Sequence, residues 1–419
     1  MDKFIIKGGV PLKGEIKISG AKNAALPLMA ACLLVKKNCR LKNIPHLTDI
    51  VTMGEILKNL GVKVEKNNGE LNIDSSNFYK DKVPYELGSK IRASILTLGP
   101  LLARLGHAQV SLPGGCKIGK RPIDLHLKGL KEMGAHIRIN DNYIEASAPR
   151  GLNGSEIYLS SPSVGATENI ILAASLTSGT TIIRNASRNP EIIDLVKFLK
   201  NMGAKIEGEG TSLIKIQGTK ETHPVNHSVI PDRIETGTFI LAGIITRGKI
   251  IIKGVCPEHL KILLVKLKKM GAKIDCEDRE IKVYGGNNLL PIEVKTLPYP
   301  GFPTDLQPQM TALSCFARGT STITETIFEN RFACVPELQK MGADIKIEET
   351  KIKVKGVSSL EGASLTAHNI QEGIALVLAG LSAKGITEIH NIFHIDRGYE
   401  NLEKKLSFLG AQIKRIREN

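Results

Sequence analysis

Six times along this chain a leucine is followed, three or four residues later, by the same turn. The segments at residues 57–64, 130–137, 199–206, 267–274, 338–345 and 406–413 all read as the end of an amphipathic helix, a glycine, a small apolar residue and the start of an alternating strand. Their glycines sit at 61, 134, 203, 271, 342 and 410, separated by 73, 69, 68, 71 and 68 residues. A period that regular over a whole sequence signals repeated supersecondary units. Glycine is the residue that ends a helix in the left-handed conformation, and the alternation that follows predicts a hairpin. Each period also holds a nearly all-apolar stretch that stops near a second glycine. Examples are residues 96–104, 170–177, 239–245, 310–317 and 374–383. A helix apolar on most faces has to be buried nearly all round.

The predicted unit is therefore strand, buried helix, strand, amphipathic helix, hairpin. Six units divided between two lobes put three helices into each core and the strands outside them. The fold class expected is α/β, with two inverted (inside-out) α/β barrel domains of three βαβαββ-type repeats each. The first domain is expected over residues 22–230, and the second over 1–21 with 231–419. The strand at residues 4–6 would close the second lobe, and an active-site cleft would lie between the two.

At 419 residues the chain is too long for one ordinary core. The amino terminus has neither a long apolar run nor a small-residue cleavage site, so no signal peptide is expected. The apolar runs are too short to span a bilayer, and no membrane association is expected. Seven cysteines without a CxxC pair argue against zinc, and their odd number argues against a disulfide framework. No metal and no cofactor is expected, and a reducing cytoplasm fits best. The net charge is +15. Aromatic residues make up only 4% and tryptophan is absent, which leaves little for stacking bases. No nucleic-acid partner is expected. A basic cleft for a small anionic substrate fits the charge, as does a merely basic surface.

One loop has the chemistry of a site. Residues 112–122 combine three glycines, Cys116, and the cations Lys117, Lys120 and Arg121. Nearby positive charge favours the thiolate, which is the nucleophilic form.

Seven segments together carry a family resemblance. They are residues 19–27 around Lys22-Asn23, the Cys116 loop running on through Arg121-Pro122-Ile123-Asp124-Leu125-His126, residues 162–169, residues 231–239, Pro303-Thr304-Asp305, Phe328-Glu329-Asn330-Arg331-Phe332, and His394-Ile395-Asp396-Arg397-Gly398-Tyr399. In that order they resemble the UDP-N-acetylglucosamine enolpyruvyl transferases, from end to end of the chain. The resemblance implies two inverted α/β barrels. It implies transfer of the enolpyruvyl group of phosphoenolpyruvate to the 3-hydroxyl of UDP-N-acetylglucosamine, with release of phosphate, which commits the sugar to peptidoglycan synthesis. It also implies that fosfomycin alkylates Cys116. A monomer or weak homo-oligomer is expected.

The residue types suit that chemistry. Both substrates are polyanions, so cations must line the site. Lys22 and Asn23 stand at the start of an apolar helix, a favourable place for an anion. Arg92 opens another helix, and Arg331 and Arg397 precede amphipathic ones. Guanidinium groups bind phosphate and carboxylate in bidentate fashion. By resemblance, Lys22, Arg121 and Arg397 hold phosphoenolpyruvate. Arg121, Pro122, Ile123, Asp124, Leu125, Ser163, Val164, Asp305 and Ile327 hold the sugar nucleotide. The reaction needs an acid at C3 of the alkene and a base at the hydroxyl. Cys116 can be that acid or add covalently to C2, and Asp305 can be the base.

The pattern departs from the family in one place. The family usually carries Asp-Leu-Arg-Ala before the sixth buried helix, where this chain has Asn369-Ile370-Gln371-Glu372. Thr48 also stands where many members have lysine. Two alternatives stand beside an active enzyme of this type, the first of them resting on Asn369 and Gln371. One is a catalytically impaired or regulatory paralogue that still binds the sugar nucleotide. The other is a sister enolpyruvyl transferase acting on shikimate 3-phosphate, whose Gly-Asn-Ala-Gly-Thr signature is absent.

Overall fold

All six glycines of the repeat end a helix in one way. The computed structural model of the chain describes residues 2–67, 69–114, 122–286 and 288–417. In it these glycines have φ between 90° and 122°. They follow the surface helices Thr48–Asn59, Asp124–Glu132, Pro190–Met202, Lys261–Lys269, Val335–Lys340 and Leu402–Phe408. The amide after each glycine turns back to the leucine carbonyl of the repeat. Examples are Val62 to Leu57 and Ala272 to Leu267, both at 3.0 Å, and Ala343 to Leu338 at 3.1 Å. This is the Schellman closure, which pairs the last carbonyls of the helix and brings the residue after glycine against the leucine. The small apolar residue is there because the turn folds it inward.

The chain forms two compact units, one of residues 2–19 and 231–417 and the other of residues 20–114 and 122–230. The first is built on the buried helices Arg233–Ile245, Gln307–Ser314 and Ile370–Ser382, and the second on Lys22–Ala31, Leu98–Leu105 and Val164–Ala174. Each unit has its own apolar core. Along Ile370–Ser382, Ile374, Leu376 and Leu378 are at most 1% exposed. Burying side chains of that size contributes roughly 1.5–3 kcal/mol each.

Among the described residues, three separate sheets cover the helices of each unit, and a shared plan runs through five of the six. A short strand runs parallel to the strand that leaves the buried helix, and the hairpin adds two antiparallel strands beyond it. Glu293–Lys295, Thr320–Thr324, Lys351–Lys355 and Asp344–Glu348 form one such sheet. Alternation sets the faces, so that Ile250 and Ile252 point inward while Lys249 and Lys253 are exposed. Among the described residues the sheet of the second repeat has only three strands, His107–Ser111, Tyr143–Ser147 and His136–Ile139.

Three strands come from outside the repeat they complete. Asp2–Lys7 lies between Ile386–His390 and Gln412–Arg417, with Asp2 opposite Arg417. Lys13–Lys17 runs parallel to Lys249–Lys253. Asn226–Ser228 runs parallel to Asn38–Lys42. The division falls between Ser19 and Gly20 and between Ile230 and Pro231. Ladder-like bonds hold both places: Ala21 donates to the Ile230 carbonyl at 2.7 Å, and Asp232 to that of Ser19 at 2.9 Å. No helix among the described residues is long and apolar enough to cross a membrane.

Candidate active site

The buried helices begin earlier than their apolar stretches. Hydrophobic periodicity places the starts at 170, 239, 310 and 374, but the helices start at Val164, Arg233, Gln307 and Ile370. The intervening first turns are polar and buried. Burial of such groups is costly without partners, and Glu235 and Thr238 find theirs in distant segments. Glu235 pairs with Lys405 and accepts from the Ser19 amide at 2.8 Å. Thr238 shares a 2.8 Å hydrogen bond with the Tyr399 hydroxyl. The polar ends of these helices are where the site residues expected from the sequence are found.

In the unit of residues 20–230, Lys22 is the first residue of its helix and its Nζ lies 3.3 Å from Asp49 Oδ2. The lysine side chain is 15% exposed and the aspartate 8%. Asn23, in the same turn, is exposed. Thr48 is the first residue of the helix that carries Asp49. Arg92 opens a 3-10 turn over Arg92–Thr97 and donates from Nη2 to the Pro122 carbonyl at 3.3 Å. Pro122 and Ile123 lead into the helix that starts at Asp124 and continues through Leu125. Ser163 caps the helix Val164–Ala174, with its Oγ accepting from the Ala166 amide.

His126 ties these segments together. Its ring is 3% exposed, and its Nδ1 lies 3.2 Å from Asn169 Nδ2. Asn169 Oδ1 accepts from the Gly99 amide at 2.8 Å, and its Nδ2 donates to the Ile95 carbonyl at 3.0 Å. Burial, helped by the Arg92 charge, lowers the His126 pKa to about 3. Arg92, residues 122–125, Ser163 and Val164 thus share one neighbourhood. Cys116 and Arg121 lie outside the described residues.

In the other unit, Asp305 sits in the turn Thr304–Leu306 just before the helix Gln307–Ser314. Its Oδ1 accepts from Arg331 Nη2 and, at 3.1 Å, from Gln371 Nε2. Arg331 also donates to Thr304 Oγ1 at 3.0 Å and to Gln371 Oε1 at 3.3 Å. The arginine side chain is 1% exposed and Asp305 28%. Oδ2 of Asp305 has no hydrogen-bond partner among the described residues. Glu325 is buried behind this cluster. It accepts from Thr304 Oγ1 at 2.9 Å and from the Ile327 amide at 2.7 Å, which fixes the turn that carries Ile327.

Arg397 ends the 3-10 turn Ile392–Arg397. Burial lowers the pKa of His394, and the charges of Arg397 and His368 add to that. Arg397 is therefore electrostatically close to the segment that opens the Ile370–Ser382 helix. Asn369 caps that helix: its Oδ1 accepts from the Glu372 amide at 3.0 Å, and its Nδ2 lies 3.3 Å from Glu372 Oε2. Glu372 reaches back to the His368 amide at 3.0 Å. The two side chains thus hold the amides at the start of the helix, and burial raises the Glu372 pKa.

Sequence reasoning missed Asp49, His126, Asn169, Thr304 as a ligand of Arg331, Glu325, and the bridging role of Gln371. Asp49 and Glu325 carry no local signal, while His126, Asn169, Thr304 and Gln371 stand in segments singled out from the sequence but without these roles, because each acts through a partner 20 or more residues away. Among the described residues no cluster could hold a metal ion. Burial pushes the Cys315 thiol up to about 12 and raises that of Cys334 as well, so both are packing residues.

Three comparisons bear on this arrangement. The family model for EPSP synthase (3-phosphoshikimate 1-carboxyvinyltransferase) matches residues 6–406. A UDP-N-acetylglucosamine 1-carboxyvinyltransferase of Carboxydothermus hydrogenoformans is 53% identical over 418 residues, covering 99% of this chain and 100% of that one. An enzyme of the same name from Desulforapulum autotrophicum is 51% identical, with both chains fully covered. Among solved structures, the enolpyruvyl transferase NikO from Streptomyces tendae superposes with a TM-score of 0.91 at 26% identity, covering 100% of this chain and 99% of that one. EPSP synthase from Acinetobacter baumannii, with a TM-score of 0.78 at 18% identity over the whole of both chains, shares the fold.

Proposed function

The chain belongs to the UDP-N-acetylglucosamine 1-carboxyvinyltransferase family, and from that premise we propose that it moves the enolpyruvyl group of phosphoenolpyruvate onto the 3-hydroxyl of UDP-N-acetylglucosamine. The sugar oxygen attacks C2 of phosphoenolpyruvate while C3 gains a proton. The tetrahedral adduct then loses phosphate from C2 and a proton from C3, which restores the alkene on the sugar. One proton leaves the hydroxyl, and the C3 proton is gained and given back.

The observation that carries this reading is the state of Asp305. Its Oδ1 is held by Arg331 and Gln371, while Oδ2 has no partner among the described residues. A carboxylate pinned through one oxygen presents the other as a directed proton acceptor. In this reading Asp305 takes the hydroxyl proton, and Lys22, Arg121 and Arg397 bind phosphoenolpyruvate. Arg92, Asn23, residues 121–125, Ser163, Val164 and Ile327 receive the sugar nucleotide, and Arg331 orients Asp305. Cys116 serves C3 or adds to C2, a role that rests on its sequence motif.

The test is incubation of the purified protein with both substrates. Inorganic phosphate and an enolpyruvyl product of UDP-N-acetylglucosamine are expected in equal amounts, and none with shikimate 3-phosphate in place of the sugar nucleotide. Tight sugar-nucleotide binding without turnover would overturn the proposal in favour of a non-catalytic paralogue.

A further inference from the structure

We propose that one end of the unit of residues 2–19 and 231–417 is a docking face for the surface of an anionic lipid bilayer. The repeat builds this face. Each of the three buried helices of the unit is followed by a cation and a glycine, at Arg247-Gly248, Arg318-Gly319 and Lys384-Gly385. The three turns are equivalent, because the carbonyls of these glycines accept from the amides of Gly285, Gly356 and Gly8 at 2.7, 2.9 and 3.3 Å. The helices pack on one another, which sets neighbouring axes roughly 8–10 Å apart. Asp305 and Gln371 meet at their amino ends. The three turns therefore gather at the opposite end, away from those site residues, and all three cations are exposed.

The strand after the first turn extends the charge. Lys249 lies beside Lys13 on one neighbouring strand and Tyr284 on the other, and Tyr284 in turn faces Lys273. Like charges side by side in a sheet repel, yet the carboxylates further along these strands serve other lysines. Glu15 pairs with Lys253, and Glu277 and Glu280 pair with Lys282. Among the described residues Arg247, Arg318, Lys13, Lys249 and Lys273 make no ion pair, and Lys384 reaches Glu361 only at 4.0 Å. Uncompensated charge of this kind favours an anionic partner. Apolar residues between the cations identify that partner as a bilayer. Phe408 is 74% exposed, Ile386 58% and Leu290 53%. The Lys13 amide donates to the carbonyl of Leu409, next to Phe408, and the Arg318 amide to that of Leu289, next to Leu290. Ile386 follows Lys384 by two residues. Cations interleaved with bare Phe, Ile and Leu suit the boundary between headgroups and acyl chains, whereas a nucleic acid would call for aromatic platforms. Contact of this kind needs no spanning helix, so the shortness of the apolar runs does not bear on it.

Co-sedimentation of the full chain with vesicles of phosphatidylglycerol and phosphatidylcholine, against vesicles of phosphatidylcholine alone, tests this. Wild type should bind the mixed vesicles and be released by salt, which screens the charges. Arg247→Gln combined with Arg318→Gln and Lys384→Gln should weaken binding roughly 100-fold, since each cation near an anionic surface contributes about fivefold. Phe408→Ser, a surface change, should weaken it roughly tenfold. A charge-matched control on the other unit, Lys131→Gln with Lys205→Gln and Lys215→Gln, should stay within about threefold of wild type. Melting curves and phosphate release should match wild type in every variant. Absence of binding to the mixed vesicles, equal binding to the neutral ones, an equal loss in the control variant, or tighter binding to a single-stranded RNA would overturn the proposal. If vesicle binding follows the three cations but wild type releases no phosphate, the functional proposal falls and this one stands.

Discussion

Asn369→Asp restores the residue that the family pattern carries at that position, and the structure predicts that the change harms this chain. The native amide has two jobs. Its oxygen caps the helix by accepting from the Glu372 amide, and its nitrogen faces Glu372 Oε2 at 3.3 Å. Aspartate caps as well as asparagine, so the first contact survives. The second becomes carboxylate against carboxylate at that separation. Two unit charges 3.3 Å apart repel by about 5 kcal/mol at an effective dielectric of 20, and the pair escapes part of this by retaining a proton. Burial already raises the Glu372 pKa, and the introduced aspartate would raise the second proton loss of the pair, the one that leaves both carboxylates charged, further. A carboxyl whose folded pKa lies above its unfolded value loses stability as pH rises from the unfolded value towards the folded one. The penalty should be small near pH 5 and reach roughly 2–3 kcal/mol at pH 8. For a unit of this size that lowers the melting temperature by roughly 5–10 °C. Scanning calorimetry at both pH values on wild type, Asn369→Asp, and Asn369→Asp with Glu372→Ala would read it. The second change should restore stability at pH 8, because Ala is what the family places opposite its aspartate. A single mutant as stable as wild type at pH 8, or a double mutant no better than the single, would refute the reasoning.

Three further outcomes follow from the same geometry. Asp305→Asn keeps an acceptor for Arg331 and Gln371 but cannot take a proton, so kcat should fall by roughly 10²–10⁴ in a phosphate-release assay, with a melting temperature near wild type. Glu168 is buried in the Val164–Ala174 helix, its Oε1 without a hydrogen-bond partner among the described residues, and burial, then the nearby Glu191, raises its pKa well above normal. It therefore lowers stability as pH rises above about 4.3, and Glu168→Gln should melt higher than wild type at pH 8 with the gap closing towards pH 4. Gly99→Ala would set a Cβ 2.5 Å from the Asn169 carbonyl oxygen and 2.6 Å from its Oδ1. Overpacking of that kind costs about 1–3 kcal/mol and should show as a lower denaturant midpoint.

The repeat was legible because its physics is local. A Schellman closure needs leucine, glycine and a small apolar residue within six positions, and it recurs six times. The polar first turns of the buried helices were not legible, because Arg233, Glu235 and Thr238 look like surface residues until Lys405 and Tyr399 arrive from some 160–170 residues away. The same limit applies at the site. Asp305 and Arg331 can be read from motifs, whereas Gln371 reads in sequence only as a missing arginine. In the fold it is a bridge, accepting from Arg331 and donating to Asp305. Asn369 likewise reads as a lost carboxylate, yet Glu372 places a carboxyl group beside it three residues on.

The strand Asp2–Lys7 carries a consequence for the order of folding. It leaves the ribosome long before the strands it lies between, Gln412–Arg417 on one side and Ile386–His390 on the other. Contacts that remote in sequence are slow to form. The unit of residues 20–230 has all its described strands once Asn226–Ser228 has emerged, so it can complete its core while the other waits. Throughout that interval Phe4 and Ile6, both fully buried in the finished molecule, have no strand to pair with. An unpaired apolar strand is where association with other chains begins. The vulnerable species in synthesis is thus a nascent chain with one finished unit and a free early strand, and it persists until Ile386–His390 is made.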